Sequence, residues 1–322
     1  MNILLDFKKL FDKEINIYLD KKIKSAEKID EKGSDLFKII KEFINNDGKR
    51  LRPAIFYYTF LSYSSQNSAK ILKLSFIFEL FHSFALIHDD IIDNSDLRRG
   101  KPTVHKKYNL SMAILAGDLA LMLADELFSQ EINKPKIVDL YNEFKQELLI
   151  GEYLDTVKID DVNKIMEFKT ARYSFVKPAI IALSLAQVDK NEVEKWEEIL
   201  RKTGILFQIK DDFDGTFADE KALGKPTDSD IKEGKNTLLI EKFLVKSNNK
   251  KKERFYSFFG KQNFKEEDLI WYKKTLVEYK IDDEIKKQII NESSEIANKL
   301  NLYFPNKELT KLMKEILNYF QS

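Results

Sequence analysis

The sequence predicts an all-α fold built as a single domain over its 322 residues. Apolar residues recur at spacings of three and four almost throughout, and strict alternation is hard to find, which is the pattern of amphipathic helices. Glycine and proline number only 10 and 6, far below their average usage of about 7% and 5%. Because a β-sandwich or barrel needs many turn residues, we expect a bundle of roughly a dozen helices spanning residues 1–322.

The elements follow one another along the chain as apolar stripes separated by polar breaks. One stripe consists of Ile71, Leu74, Phe78, Phe81, Ala85 and Ile92, a second of Leu115, Leu119, Met122 and Leu123, and a third of Ile281, Ile285, Ile289, Ile296 and Leu300. The breaks are a turn at Asp47-Gly48, a polar loop over 94–102, a helix start at Lys134-Pro135 and a second polar loop over 215–234.

Composition excludes several classes of protein. The net charge of +1 gives no overall attraction to nucleic acid or to anionic lipid. With no cysteine, a disulfide framework, a thiolate zinc site and a cysteine nucleophile are all excluded. The most apolar stretch, residues 74–87, is shorter than the roughly 20 residues that span a bilayer. The N-terminus has the pattern of an amphipathic helix and not of a signal peptide, so we expect a cytoplasmic protein without a membrane span.

Two acidic segments carry the chemistry that the sequence predicts. Asp89 and Asp93 are four residues apart, so both lie on one face of a helix. They follow a run of apolar residues typical of a protein core, and Asp90 lies between them in the sequence. Clustered carboxylates at the end of a rigid helix suit a hard divalent cation such as Mg²⁺, usually with a bound phosphate. The alternative is a solvated helix end.

The second acidic segment repeats this arrangement more than a hundred residues later. Gln208, Asp211 and Asp212 share one helix face after an apolar run. Alone, this segment is equally consistent with a solvated helix end. Together, the two segments favour a clamp for several metal ions.

Arginines concentrate near these acids. Only seven of the 54 basic residues are arginines, and arginine is the residue of choice for bidentate binding of phosphate. Five of them are Arg50, Arg52, Arg98, Arg99 and Arg172, all close to the motifs described here. Acids that hold metal beside bases that hold oxyanions are the two halves of a diphosphate site, whereas nucleic acid would need a basic stripe without the acids.

Seven segments in a fixed order resemble those of the trans-isoprenyl (polyprenyl) diphosphate synthases. They are GKRLRP at 48–53, ELFHSFALIHDDIIDNSDLRRGKPTVH at 79–105, AGDLAL at 116–121, GEYLD at 151–155, FKTARYSFVKP at 168–178, FQIKDDFDGTF at 207–217 and LGKPTDSDIKEGKNTLL at 223–239. The resemblance covers residues 48–239 and is greatest to short-chain synthases of the archaeal type.

This resemblance implies a helical bundle around a central cavity, a homodimer, and head-to-tail condensation of isopentenyl diphosphate with an allylic diphosphate. It makes Asp89, Asp93 and Asp211 ligands of about three Mg²⁺ ions, with Asp90 and Asp212 supporting them. Isopentenyl diphosphate is held by Lys49, Arg52, His82 and Arg99, and the allylic diphosphate by Arg98, Lys169, Thr170, Gln208, Lys225 and Lys235. Of all these residues, Asp89, Asp93, Asp211, Lys169 and Lys225 are expected to be catalytic.

The second acidic segment departs from the family pattern at its fifth position. Gly215 stands where an aspartate is usual, as in some short-chain members. Asp214 precedes it, about 100° around the helix from the usual position. Asp214 is therefore a doubtful substitute for the missing acid.

Product length is expected to depend on Phe84 and Ala85. In the family the growing chain descends along the helix that bears the first aspartates, and a bulky residue one turn deeper stops it. A large residue five positions before Asp89, followed by a small one, resembles the archaeal geranylgeranyl diphosphate synthases. Farnesyl diphosphate synthase is the alternative, because Phe84 could equally be an ordinary core residue.

Two further functions remain open from the sequence. A terpene cyclase shares metal-assisted departure of diphosphate, but it needs no second diphosphate site of the kind that 48–53 and Arg99 suggest. A regulatory subunit of a heteromeric synthase usually lacks the first aspartates, whereas Asp89, Asp90 and Asp93 are all present here.

Overall fold

A computed structural model confirms the all-α prediction. It describes residues 2–65, 67–159, 161–218, 227–261 and 263–321. Within those ranges the only strands form one small antiparallel hairpin, β1 (Leu97–Arg98) and β2 (Lys101–Pro102).

The helices follow one another in chain order. The first are α1 (Ile3–Glu27), α2 (Ser34–Asn45), α3 (Leu51–Leu61), α4 (Ser68–Ile92), α5 (Val104–Lys107), α6 (Leu110–Glu131) and α7 (Pro135–Thr156). Next come α8 (Val162–Ile165), a π-helix (Met166–Val176), α9 (Lys177–Leu185), α10 (Lys190–Phe217) and α11 (Ser229–Glu233). The last are α12 (Leu238–Lys246), α13 (Asn249–Phe258), α14 (Glu266–Glu278), α15 (Ile281–Tyr303) and α16 (Glu308–Gln321).

Contacts group the chain into two compact units. Unit 1 comprises Met1–Tyr141, Pro178–Lys190 and Asn306–Glu315, and unit 2 comprises Asn142–Lys177, Asn191–Pro305 and Ile316–Ser322. The single domain over 1–322 stays a prediction.

Helix α4 is the centre of unit 1. Its length and composition would allow it to cross a membrane, but 72% of its most apolar window is buried inside the fold, as expected of a core helix. Helices α3 and α6 pack along it. Gly117 of α6 leaves room for the His88 ring of α4, because a Cβ added there would lie 2.3 Å from its Nε2.

Aromatic side chains form much of the core of unit 2. The rings of Phe243, Phe255 and Tyr272, from α12, α13 and α14, lie with their centroids 5.0–5.3 Å apart. A second contact stacks Trp196 of α10 on Phe304, the C-cap residue of α15, at 4.0 Å between centroids. Aromatic pairs of this kind stabilise beyond the area that they bury.

The predicted breaks agree with the structure except for the second polar loop. Asp47-Gly48 lies between α2 and α3, and α7 begins at Pro135 as expected. Residues 219–226 of that predicted loop lie outside the described residues. In the rest of it, α10 continues to Phe217 and α11 forms at Ser229–Glu233, so these parts are helical instead. The rings of Phe213 and Phe217 contact each other one turn apart, at 4.9 Å between centroids, which supports this additional turn of α10.

Candidate active site

The first acidic segment lies at the C-terminal end of α4. Asp89 and Asp90 occupy its last turn, and Asp93 is the C-cap residue. Arg98, on strand β1, folds back over this helix end: its Nη2 donates to Asp89 Oδ2 at 2.9 Å and its Nε donates to Asp90 Oδ1 at 2.6 Å. The sequence assigns Arg98 to binding a diphosphate and the acids to binding a metal. In the structure the charge of Arg98 and the charges of these acids neutralise each other.

Asp90 is the buried acid of this segment, with 1% of its surface exposed. Burial raises the pKa of its carboxyl to about 6, although Arg98 acts in the opposite direction. Within the described part of the chain, its other oxygen, Oδ2, is buried without a hydrogen-bond partner. Because such an oxygen is costly to leave unsatisfied, it suits a divalent cation or a water bound to one.

The acids fit Mg²⁺ that binds together with a phosphate. In the ranges that the structure describes, no three acidic or histidine side chains converge to hold a metal ion by themselves. Mg²⁺ usually retains several waters and is bound through one or two carboxylates plus substrate phosphates. Asp89 and Asp90 supply carboxylates of this kind.

A basic pocket, defined here as Arg52, His82 and Arg99, lies in the same unit as these acids. Burial lowers the pKa of His82 well below its usual range, and the nearby guanidiniums of Arg52 and Arg99 lower it further. His82 is therefore neutral at pH 7 and can donate a hydrogen bond, while the arginines supply the charge. This combination suits a phosphate oxygen.

Arg50, next to the pocket in sequence, is held by the protein itself. Its Nε donates to Asp12 Oδ1 at 2.7 Å and its Nη1 donates to Glu79 Oε1 at 2.5 Å. Only 2% of its surface is exposed. A Cβ on Gly48 would lie 2.7 Å from Arg50 Nη1 and 3.0 Å from Arg99 Nη1, so the lack of a side chain at Gly48 leaves room for both guanidiniums beside this loop.

Arg99 is oriented by the loop between α2 and α3. Its Nη1 donates to the carbonyl oxygen of Asn46 at 3.3 Å and also to that of Asp47. Lys49, in the same loop, is exposed. The loop thus carries one predicted phosphate ligand and fixes the orientation of another.

The second acidic segment is connected to the π-helix by a chain of hydrogen bonds in unit 2. Thr170 Oγ1 on the π-helix donates to Gln208 Oε1, and Gln208 Nε2 donates to Asp212 Oδ1 at 2.7 Å. Asp212 is buried, whereas Asp211 is exposed. Gln208 therefore orients Asp212 and Thr170 at the same time.

The predicted lysines of unit 2 are paired with acids. Lys169 Nζ lies 2.6 Å from Asp155 Oδ2 and 2.9 Å from Glu152 Oε2. Lys235 Nζ lies 2.5 Å from Glu233 Oε2. As at Arg98, cations predicted to hold diphosphate are neutralised by carboxylates.

Asp214 is engaged elsewhere and does not replace the missing fifth acid. Lys210 Nζ donates to both of its carboxylate oxygens, at 2.6 and 2.9 Å. Gly215 itself is buried. The direct contributions of this segment thus come from Asp211 and Asp212.

Phe84 and Ala85 lie on α4, just before the first acids. Phe84 is buried, and its ring centroid lies 5.4 Å from that of Phe81 and 4.8 Å from that of His88. Ala85 is partly exposed. The large side chain is thus fixed by its neighbours.

Each unit brings together part of the predicted site. In unit 1 these are Arg52, His82, Asp89, Asp90, Arg98 and Arg99, and in unit 2 they are Lys169, Thr170, Gln208 and Asp212. Lys225 lies outside the described residues. Sequence reasoning missed the partners of Lys169: Glu152 and Asp155 stand in the GEYLD motif, and their i, i+3 spacing places them on one face of α7.

Residues 34–276 match the family profile described as polyprenyl synthetase. The chain is 33% identical over 269 residues to the short chain isoprenyl diphosphate synthase of Methanocaldococcus jannaschii, a match that covers 81% of each chain. It is 31% identical over 296 residues to the geranylgeranyl diphosphate synthase of Sulfolobus acidocaldarius, covering 86% of this chain and 88% of that one.

Solved structures are similar over nearly the whole chain. A geranylgeranyl pyrophosphate synthase of Corynebacterium glutamicum superposes with a TM-score of 0.88 at 25% identity, covering 98% of both chains. The Pyrococcus horikoshii enzyme gives a TM-score of 0.80 at 26% identity, covering 98% of this chain and 99% of that one. With the matched profile and relatives, these similarities show that the chain belongs to the polyprenyl synthetase family and is a prenyltransferase of the short-chain trans-prenyl diphosphate synthase class.

Proposed function

We propose that this enzyme condenses isopentenyl diphosphate with an allylic diphosphate, using Mg²⁺, and that its main product is geranylgeranyl diphosphate. The observation that carries the proposal is the contact of Arg98 with Asp89 and Asp90, close to the basic pocket. Metal-binding and phosphate-binding groups are thus adjacent. The Corynebacterium glutamicum relative is complexed with isoprenyl diphosphate and magnesium, which supports the same classes of ligand here.

In the proposed reaction the allylic C–O bond breaks and diphosphate departs. The double bond of isopentenyl diphosphate then attacks the resulting cation to form a C–C bond, and the departed diphosphate accepts the proton that is lost. Arg98 and Lys169 bind the departing diphosphate, while Arg52, His82 and Arg99 hold isopentenyl diphosphate. When bound, Mg²⁺, at about three ions per site, offsets the negative charge that develops on the leaving group. The reaction needs no protein nucleophile.

Substrate binding requires the charged groups to exchange partners. Arg98 and Lys169 are paired with carboxylates in this structure. A diphosphate competes with those carboxylates for the cations, and the carboxylates at Arg98 then become available to Mg²⁺. Binding of the diphosphate and binding of the metal therefore favour each other.

Phe84 supports the twenty-carbon product. Its ring is buried against Phe81 and His88. It stands five residues before Asp89, about 7.5 Å of helix rise, where it would stop a growing chain. Relatives are named geranylgeranyl, geranylfarnesyl and farnesyl diphosphate synthases. The farnesyl product remains the alternative.

We also propose that the enzyme is a homodimer. Helix α6 exposes several large apolar side chains, namely Leu110, Met112, Ile114, Leu115 and Met122. An apolar helix face of this kind is typical of a surface that binds another protein chain. We take the chain that binds there to be a second copy of this protein, because the family resemblance implies a homodimer.

Replacing Asp89 or Asp211 by asparagine should reduce kcat by at least about 100-fold, because each change removes a charge that supports departure of the diphosphate. The assay measures elongation of an allylic primer with radiolabelled isopentenyl diphosphate at saturating Mg²⁺. The matched control is Asp96→Asn, an exposed acid paired with Lys106, which should stay within about twofold of the wild type. Near-normal turnover of both test variants, or cyclised hydrocarbons without elongation, would contradict the assignment.

Replacing Phe84 by alanine should lengthen the products, because it removes the obstacle on α4. Chromatography of the dephosphorylated products with each allylic primer measures the distribution. Phe7→Leu, a change at a buried ring of α1 that contacts Phe11 and Tyr57, is the control and should leave product length unchanged. If Phe84→Ala left the distribution of product lengths unchanged, another residue would set the chain length and the assignment of Phe84 would be wrong.

Replacing Met122 by glutamate should convert the dimer to a monomer, because a charge is costly to bury in an apolar interface. Light scattering after size-exclusion chromatography measures the mass. Ile29→Glu, at a position that is 89% exposed after α1, should remain dimeric. A wild-type mass of one chain at micromolar concentration would refute the proposal.

A further inference from the structure

Two predicted site residues lie on a π-helix, an uncommon type of helix in proteins. It runs for 11 residues, from Met166 to Val176, and bears Lys169 and Thr170. Because π-helices usually occur as single turns with i→i+5 hydrogen bonds, a longer one needs support from its neighbours.

Helix α7 contacts this segment through three residues spaced four apart. Glu147 accepts two hydrogen bonds from Arg172, from Nη2 to Oε1 at 2.7 Å and from Nε to Oε2 at 2.8 Å. A Cβ on Gly151 would lie 2.7 Å from the backbone nitrogen of Lys169. Asp155 accepts from the Nζ of the same lysine at 2.6 Å. Residues at i, i+4 and i+8 share one helix face. One face of α7 therefore packs against the π-helix at Lys169 and Arg172.

Helix α10 contacts the remaining residues of this stretch. A Cβ on Gly204 would lie 2.5 Å from the Cα of Ala171. One turn later on α10, Gln208 accepts from Thr170. The four consecutive residues 169–172 are therefore each fixed by a contact to α7 or α10.

Arg172 differs from the other three because its side chain contacts carboxylates on several elements. Besides the bidentate pair with Glu147, its Nη1 lies 3.9 Å from Glu167 on the π-helix and 3.8 Å from Glu197 on α10. Glu147 also lies 3.2 Å from Nζ of the buried Lys177, which directly follows the π-helix. A bidentate arginine–carboxylate pair fixes both distance and orientation.

We propose that Arg172 is a positioning residue: its bidentate pair with Glu147 fixes the register of the π-helix and so places Lys169 and Thr170 for binding the allylic diphosphate. Arg172 itself does not contact the substrate. The inference rests on the proposed function, in that it assigns Lys169 and Thr170 to that substrate. A small displacement of a binding group can change rates by up to about 100-fold, so a positioning residue can matter without contacting the ligand.

The test compares Arg172→Gln with Arg172→Lys, which keeps the charge but not the bidentate geometry. For Arg172→Gln we expect KM for the allylic diphosphate to rise about tenfold and KM for isopentenyl diphosphate to stay unchanged, because the basic pocket lies in unit 1. Arg172→Lys should recover part of the loss. Hydrogen exchange of the 166–176 amides should become faster in Arg172→Gln.

Arg201→Gln is the matched control. Arg201 lies on α10 and pairs with Glu167, at 3.1 Å from Nη1 to Oε2, so its loss removes an arginine from the same network without touching Glu147. It should leave both KM values and the exchange of the π-helix unchanged. Equal rises in both KM values for Arg172→Gln, unchanged exchange at 166–176, or the same effects in Arg201→Gln would overturn the proposal. If the wild type did not elongate a primer, the proposed function would fail, and the exchange measurement would still test the role of Arg172 in fixing the π-helix.

Discussion

Pairing between carboxylates and cations is the interaction on which the candidate site depends. Arg98 covers Asp89 and Asp90, Lys169 contacts Asp155 and Glu152, and other predicted ligands are paired in the same way. Half-buried charges are costly unless they are compensated, so a site that must hold both metal and diphosphate needs partners for its charges before either binds. The protein groups serve as each other's partners, and the ligands can later replace them.

The scaffold that holds these pairs relies on glycines where backbones approach closely. Gly48 allows two guanidiniums to meet one loop, and Gly151 and Gly204 allow α7 and α10 to reach the backbone of the π-helix. At Gly151 and Gly204 the nearest atoms belong to the backbone of the π-helix, so there is too little space for a Cβ.

Where the information is local, the sequence predicts the fold class and the placement of the first acids well. Helical periodicity gives the all-α class, and the i, i+4 spacing of Asp89 and Asp93 places the first acids at a helix end. What it cannot predict depends on distant partners. The ion pair of Arg50 with Glu79 joins residues 29 positions apart, so Arg50 resembles a phosphate ligand until its partner is known. The π-helix has no propensity signal of its own, because contacts of α7 and α10 support it. The continuation of α10 to Phe217 is a local exception, in which the contact between the rings of Phe213 and Phe217 accompanies a helix despite the turn signals of that segment.

In the proposed mechanism, diphosphate and metal release the paired charges together. Calorimetric titration of the intact enzyme with inorganic diphosphate, with Mg²⁺ and with the metal chelated, tests it most directly. We expect Mg²⁺ to tighten diphosphate binding by at least about tenfold, or about 1.4 kcal/mol. Equal affinity with and without Mg²⁺ would contradict it.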